Sequence, residues 1–165
     1  IAIGQRDVLY EIQLNQQLNG NPGSEPTYGI EILGAAKDGK LDFNSLSSYL
    51  NGTSVTYPDA VKINSVTGFE LTCKSLYTHL NNPTGDALPI DILRLQLLPG
   101  SNAAASYYPQ IQLSTNPQIV LKSDQGKSTP VFMDIRYSAP GNDERLIQAT
   151  SGKYSTVLVY QLVPR

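Results

Sequence analysis

Chemistry in this chain would have to start from very few residues. Its 165 positions hold one His, His79, one Cys, Cys73, and no Trp. A Ser–His–acid triad would depend on His79. That residue lies in Tyr77-Thr78-His79-Leu80-Asn81, beside a turn, where a solvated imidazole is the ordinary outcome. A thiol nucleophile needs a neighbouring base, and Cys73 has only His79 to call on. Cys73 ends the run Gly68-Phe69-Glu70-Leu71-Thr72-Cys73 at an apolar position, which reads as core. One Cys and one His complete neither a disulfide nor a zinc site. The pairs Asp86/Asp91 and Asp143/Glu144 are of the right type for acid–base work, but their spacing is that of solvated turn charges. Asp38-Gly39-Lys40 and Asp124-Gln125-Gly126 read as turns rather than calcium loops. The G-x-S-x-G, P-loop and H-E-x-x-H motifs are absent. The expectation is no catalytic residue, no metal, no cofactor and no enzyme.

The elements that would position any site are strands. Val8, Tyr10, Ile12 and Leu14 alternate with Leu9, Glu11 and Gln13. The same period of two runs through Phe69–Cys73, through Ile111–Leu113, and through Val131, Met133, Ile135 and Tyr137. Successive side chains of a strand face opposite ways, so each run predicts a strand with one buried face. Tyr28–Leu33, Ala60–Val66, Ile90–Leu98, Gln118–Lys122 and Lys153–Val163 are further strand candidates. Turn clusters such as Asn19-Gly20-Asn21-Pro22-Gly23, Lys37-Asp38-Gly39-Lys40 and Pro140-Gly141-Asn142 separate them. The pattern predicts a single all-β domain, an antiparallel β-sandwich of seven to nine strands. The best helical stretch is Asn44–Leu50, with Leu41, Leu46 and Leu50 near helical spacing.

Charge narrows the partners. Lys and Arg number 12 against 14 Asp and Glu, a net charge of −2 with no basic cluster. Nucleic acid binding needs a concentrated positive face, so it is not expected. Apolar runs are too short for a transmembrane helix. Neutral polar residues dominate instead: 15 Ser, 11 Thr, 11 Asn and 11 Gln. Ile1 is not an initiator Met, which fits a chain trimmed of a secretion signal. Leu162-Val163-Pro164-Arg165 spells a thrombin recognition sequence and reads as a cloning remnant. Ten Tyr residues form the main aromatic resource, and Tyr107-Tyr108-Pro109 is a candidate ligand surface.

The segment Gly152-Lys153-Tyr154-Ser155-Thr156-Val157-Leu158-Val159-Tyr160-Gln161 is the most specific feature. Tyr154, Leu158 and Tyr160 share one face, while Val157 and Val159 share the other. Two apolar faces predict a central or doubly covered strand. Together with Met133-Asp134-Ile135-Arg136-Tyr137-Ser138-Ala139-Pro140, this ending resembles the pilins of bacterial chaperone–usher fimbriae, most closely the disulfide-free colonisation-factor type. Gly152, Tyr154 and Tyr160 carry the resemblance, which covers about the last 35 residues.

The resemblance implies an immunoglobulin-like sandwich lacking one strand and completed by a donor strand. It implies a fimbrial subunit that reaches the bacterial surface through the periplasm. Its partners would be a periplasmic chaperone, an outer-membrane usher, neighbouring subunits and a host glycan or protein receptor. The partner-strand groove would use Val131, Met133, Ile135, Tyr137, Tyr154, Val157, Leu158, Val159 and Tyr160. Residues 1–6 would supply the donor segment, with Ile1, Ile3 and Gly4 as its key positions. The alternative is the receptor- or carbohydrate-binding domain of a fimbrial tip adhesin.

Overall fold

The computed structural model describes residues 11–19, 28–43, 46–82, 85, 87–103, 107–147 and 153–164. Twelve strands and two short helices occur among them. In chain order these are β1 (Glu11–Asn19), β2 (Tyr28–Ile32), β3 (Asp38–Asp42), α1 (Leu46–Asn51), β4 (Gly52–Ser65), β5 (Phe69–Ser75), β6 (His79–Asn81) and β7 (Ala87–Pro89). They continue with β8 (Arg94–Pro99), β9 (Ile111–Gln112), β10 (Gln118–Ser123), β11 (Val131–Pro140), α2 (Glu144–Ile147) and β12 (Lys153–Pro164).

Two sheets pack face to face as a sandwich. The first runs β10-β5-β12-β1-β3, with the β6–β7 ribbon attached to β12. The second runs β2-β4-β11-β8-β9. The period-two patterns become the two inner faces. On β11, Val131, Met133, Ile135, Tyr137 and Ala139 are buried and the residues between them are half-buried. On β5, Phe69, Leu71, Cys73 and Ser75 are buried in the same alternation. Leu95 and Leu97 of β8 and Tyr154, Leu158 and Tyr160 of β12 complete the interior. Each fully buried aliphatic or aromatic side chain contributes about 1.5–3 kcal/mol, and this inner layer is what holds the sheets together.

Local chemistry departs from simple alternation at several places. The count exceeds the expected seven to nine strands because β6, β7 and β9 have three, three and two residues. The expected strand Ile90–Leu98 is divided. Ile90–Ile92 form a 3₁₀ turn, and Ile92 and Leu93, adjacent in sequence, are both buried. A strand cannot bury two neighbours on one face, whereas a turn can rotate both inward. Lys37-Asp38-Gly39-Lys40 is not a turn: Gly34–Lys37 turns, and Asp38–Asp42 pairs with β1 as a strand. The helix covers Leu46–Asn51; Leu41 lies on β3, buried, and Leu50 is exposed. Leu162 is buried, and Leu162, Val163 and Pro164 continue the pairing of β12 with β5.

The longest strand, β4, bends at a bulge. Met133 pairs with Val61 but Ile135 pairs with Tyr57, so β4 carries two extra residues there. Pro58 sits in this gap, where a missing N–H costs no ladder bond. Asp59 adopts φ 45° and gives its N–H to Asp134 Oδ1 at 2.8 Å. Its own carboxylate accepts the Ser101 hydroxyl at 2.6 Å and the Ser101 N–H at 2.9 Å. Gly100 allows this approach, since a Cβ there would lie 2.7 Å from the Phe132 carbonyl oxygen.

These bonds favour the charged Asp59 and hold its carboxyl below the usual carboxylate range, the Ser101 hydroxyl contributing most. The folded value lies below the unfolded one. The stabilisation is therefore complete above about pH 4 and is lost as pH falls through the depressed value. Asp59→Asn is expected to flatten that part of the acid limb of the melting-temperature profile. An unchanged acid limb in the variant would show that the bulge makes no contribution to acid sensitivity.

Candidate strand-accepting site

The C-terminal strand is central. On one side β12 pairs antiparallel with β5, from Leu158↔Ser75 to Pro164↔Phe69, and touches β6 at Ser155↔Asn81. On its other side lies β1, which runs parallel to it over nine positions, from Glu11↔Lys153 to Asn19↔Gln161. Every other strand pairing among the described residues is antiparallel. The far side of β1 pairs with β3, from Glu11↔Asp42 to Asn15↔Asp38. The strand β1 thus fills a slot between β12 and β3. Neighbouring strands lie about 4.8 Å apart, so the rims of the slot stand roughly 10 Å apart.

The floor of the slot is the opposite sheet. Tyr154, Thr156, Leu158 and Tyr160 are buried on the inner face of β12, level with positions 12, 14, 16 and 18 of β1. Val157 and Val159 lie on the outer face, half-buried. Val131, Met133, Ile135 and Tyr137 belong to β11, which β4 and β8 pair on both sides. That strand has no free edge to offer a partner strand and can contribute only inward side chains. Ile1, Ile3 and Gly4 lie outside the described residues, as do Val8 and Tyr10.

A line of tyrosines crosses beneath the slot. The Tyr160 and Tyr137 hydroxyls meet at 3.4 Å in the buried interior. Tyr137 meets the Tyr57 ring edge-on, with centroids 6.2 Å apart and an interplanar angle of 69°. The Tyr57 hydroxyl accepts the Lys40 N–H at 2.8 Å and donates to the Lys40 carbonyl oxygen at 3.3 Å. The line begins on β12 and ends on β3, the two rims. The rims are therefore tied to each other through the second sheet, without passing through β1. Tyr57 was not legible as part of a site, because the strand expected in this region was Ala60–Val66 and left Tyr57 outside it, whereas β4 begins at Gly52.

Two buried titratable groups near the slot, Cys73 and Tyr160, are held in their neutral forms. Burial pushes the Cys73 thiol up, and its interaction with Tyr160 only partly opposes this. Burial first, and then the neighbouring Tyr137 and Cys73, push the Tyr160 hydroxyl up as well. Both groups stay protonated and uncharged through the physiological range. Ser75 and Thr156, buried polar residues of β5 and β12, share a hydrogen bond at 3.1 Å, and Ser75 also donates to the Tyr77 carbonyl at 2.7 Å.

The remaining candidates are dispersed. His79 is exposed, its Nδ1 2.9 Å from the Thr78 hydroxyl. Asp91 and Asp143 both bind Arg145, at 2.7 and 2.8 Å, and Arg145 holds the Asp143 carboxyl below its usual range. Asp86 lies outside the described residues. Tyr107 is exposed and exchanges backbone bonds with Lys122 along the edge of β10. Tyr108 instead packs against the core, so the two rings do not form one platform. Among the described residues, no group of three or more His, Cys, Asp or Glu gathers to hold a metal ion, and no helix is long and apolar enough to cross a membrane. No protein-family model matches this chain, and no curated protein matches it in sequence.

Proposed function

We propose that this chain is a structural subunit of a bacterial surface fimbria that joins its neighbours by strand exchange. The carrying observation is the slot occupied by β1: a central position, parallel pairing to β12, and rims tied independently of the occupant. The pairings of β5, β10 and the second sheet do not involve β1, so exchanging this strand for an equivalent one leaves them in place. An equivalent strand from another copy would regain the same backbone ladder, with alternate side chains choosing the register. Repeated head to tail, such a contact does not close and builds a fibre. The Tyr154 and Tyr160 pattern of the terminal strand supports the same reading, with a periplasmic chaperone and an outer-membrane usher handling the slot before assembly and the fibre contributing to adhesion.

Paired cysteines test it. Asn15 and Val157 are register partners across β1 and β12. Asn15→Cys is introduced in one batch and Val157→Cys in another, and the two are co-refolded under mild oxidation. Neighbouring strands bring Cα atoms within the reach of a disulfide, about 4.4–6.8 Å. Both batches also carry Cys73→Ala, because the native thiol is buried only in the folded protein and would compete during refolding. Mixed disulfide dimers, absent when either variant is refolded alone, are the expected product. Exclusively monomeric protein after co-refolding would overturn strand exchange.

A further inference from the structure

We infer that the Tyr57 side chain caps the outer edge of β3 and shuts it against pairing with a second copy of this chain. Among the described residues β3 ends its sheet, with β1 on its inner side. A strand in that position carries a row of outward N–H and carbonyl groups, a ready template for another chain. In an antiparallel ladder, the N–H and carbonyl of one residue point together, either to the partner strand or away from it. Lys40, at the middle of β3, stands opposite Gln13 of β1. Its N–H and its carbonyl oxygen both meet the Tyr57 hydroxyl, at 2.8 and 3.3 Å. Tyr57 belongs to β4 of the other sheet, so these two groups face away from β1. A strand added outside β3 would need both of them.

A phenolic hydroxyl suits this task because it accepts one hydrogen bond and donates another. A residue of a neighbouring strand offers the same two functions through its carbonyl and its N–H. Tyr57 therefore stands in for one residue of a further strand. Packing aims it there: Tyr57 pairs with Ile135 of β11, and its ring meets buried Tyr137 edge-on. The ring is held against the core while the hydroxyl reaches the edge. The opposite end of the same sheet is closed differently. There Tyr107 and Lys122 of β10 exchange two backbone bonds, at 3.2 and 3.1 Å. One end is closed by backbone and the other by a side chain, so the β3 end can be opened by a single substitution.

The edge behind the cap is complementary to itself. Asp38-Gly39-Lys40-Leu41-Asp42 carries charge at alternate positions, negative, positive and negative. Two copies of β3 laid antiparallel and centred on Leu41 set each Lys40 opposite the other copy's Asp42. Opposite charges directly across a ladder favour that register, whereas centring on Lys40 would set like charges together. Such a contact uses the same patch on both copies and closes as a pair. On the fibre reading above, closed pairs would withdraw subunits from head-to-tail growth. The cap itself does not depend on that reading, because it acts on the outer edge of β3 while β1 lies along the inner one.

Hydrogen exchange and cross-linking of the full-length chain test the cap. In the parent, the Lys40 amide should be protected even though its strand lies at an edge. Tyr57→Phe keeps the ring on Tyr137 and removes the hydroxyl. It should speed Lys40 exchange at least about tenfold, the ratio that 1.4 kcal/mol represents. Tyr57→Leu also withdraws the ring from the edge and should let a second copy pair. A carbodiimide, which joins an amine to a carboxyl as an amide with loss of water, should then link Lys40 to Asp42 of another copy. Mixing isotope-labelled with unlabelled protein identifies those links, since each carries one labelled and one unlabelled half. Adding Lys40→Glu to Tyr57→Leu makes the facing charges alike and should return sedimentation to that of the parent. The disulfide between positions 15 and 157 reads the slot and these links read the outer edge, so the two readings fail separately. An unprotected Lys40 amide in the parent, or exchange unchanged by Tyr57→Phe, would overturn the inference even where Tyr57→Leu prevents folding. So would a folded Tyr57→Leu variant with no more links between copies than the parent.

Discussion

Leu158→Asp is expected to abolish folding, while Val157→Asp, one residue earlier, leaves a stable protein. Leu158 is fully buried on the inner face of β12, the strand that carries β5 on one side and β1 on the other. Replacing it removes about 1.5–3 kcal/mol of hydrophobic burial. The carboxyl then faces the apolar layer of the second sheet, and burying a polar group without partners costs roughly another 2–7 kcal/mol even when it is protonated. The sum is comparable to a typical net stability of about 5–15 kcal/mol. Val157 points to the outer face, where a carboxylate stays hydrated, and the change there should fall within about 1 kcal/mol. Far-ultraviolet dichroism and urea denaturation of both variants make the comparison. A cooperative transition for Leu158→Asp near that of the parent would refute the assignment of the inner face.

The second large effect concerns the slot itself. A chain lacking residues 1–19 is expected not to fold alone, and to fold when a synthetic peptide of residues 1–19 is supplied. Without β1, nine paired positions of β12 and five of β3 lose their partner. Each lost backbone bond costs about 0.5–1.5 kcal/mol net, and more where water cannot replace it. The truncated chain still carries every residue of the second sheet and of the line of tyrosines, so these can form once the peptide restores both ladders. Peptide binding to the folded form alone stabilises it by mass action, about 2.7 kcal/mol at one hundred times the dissociation constant. Melting temperature should rise with peptide concentration. A truncated protein that is folded, monomeric and indifferent to peptide would remove the basis for strand exchange.

Much of the inner surface was legible in the residues. The faces of Val131–Tyr137 and Phe69–Cys73 and the burial of Cys73 follow from alternation, and the central place of the terminal strand follows from its two apolar faces. Alternation works because a strand sends successive side chains to opposite sides whatever its partner is. It fails where the chain leaves that geometry, and the failures fall where non-alternating residues are buried. Ile92 and Leu93 turn inward together, as do Val120 and Leu121 at the register shift of β10. Asp38–Asp42 carries turn residues but is a strand, because β1 supplies the ladder that its composition does not demand.

What the sequence by itself determined, then, is which residues face inward and that they form an all-β sandwich, because side-chain direction along a strand is a local property. Only the tertiary structure decided who pairs with whom. Backbone ladders are made of N–H and carbonyl groups common to all residues, so nothing in Glu11–Asn19 announces a parallel partner at Lys153–Gln161. The same reason hid the tie from Tyr57 to Lys40, seventeen residues apart, and the bond from the Gln112 amide to the Asp91 carbonyl. Each depends on a register between strands distant in sequence, and register is set by the packing of the whole inner layer rather than by any segment within it.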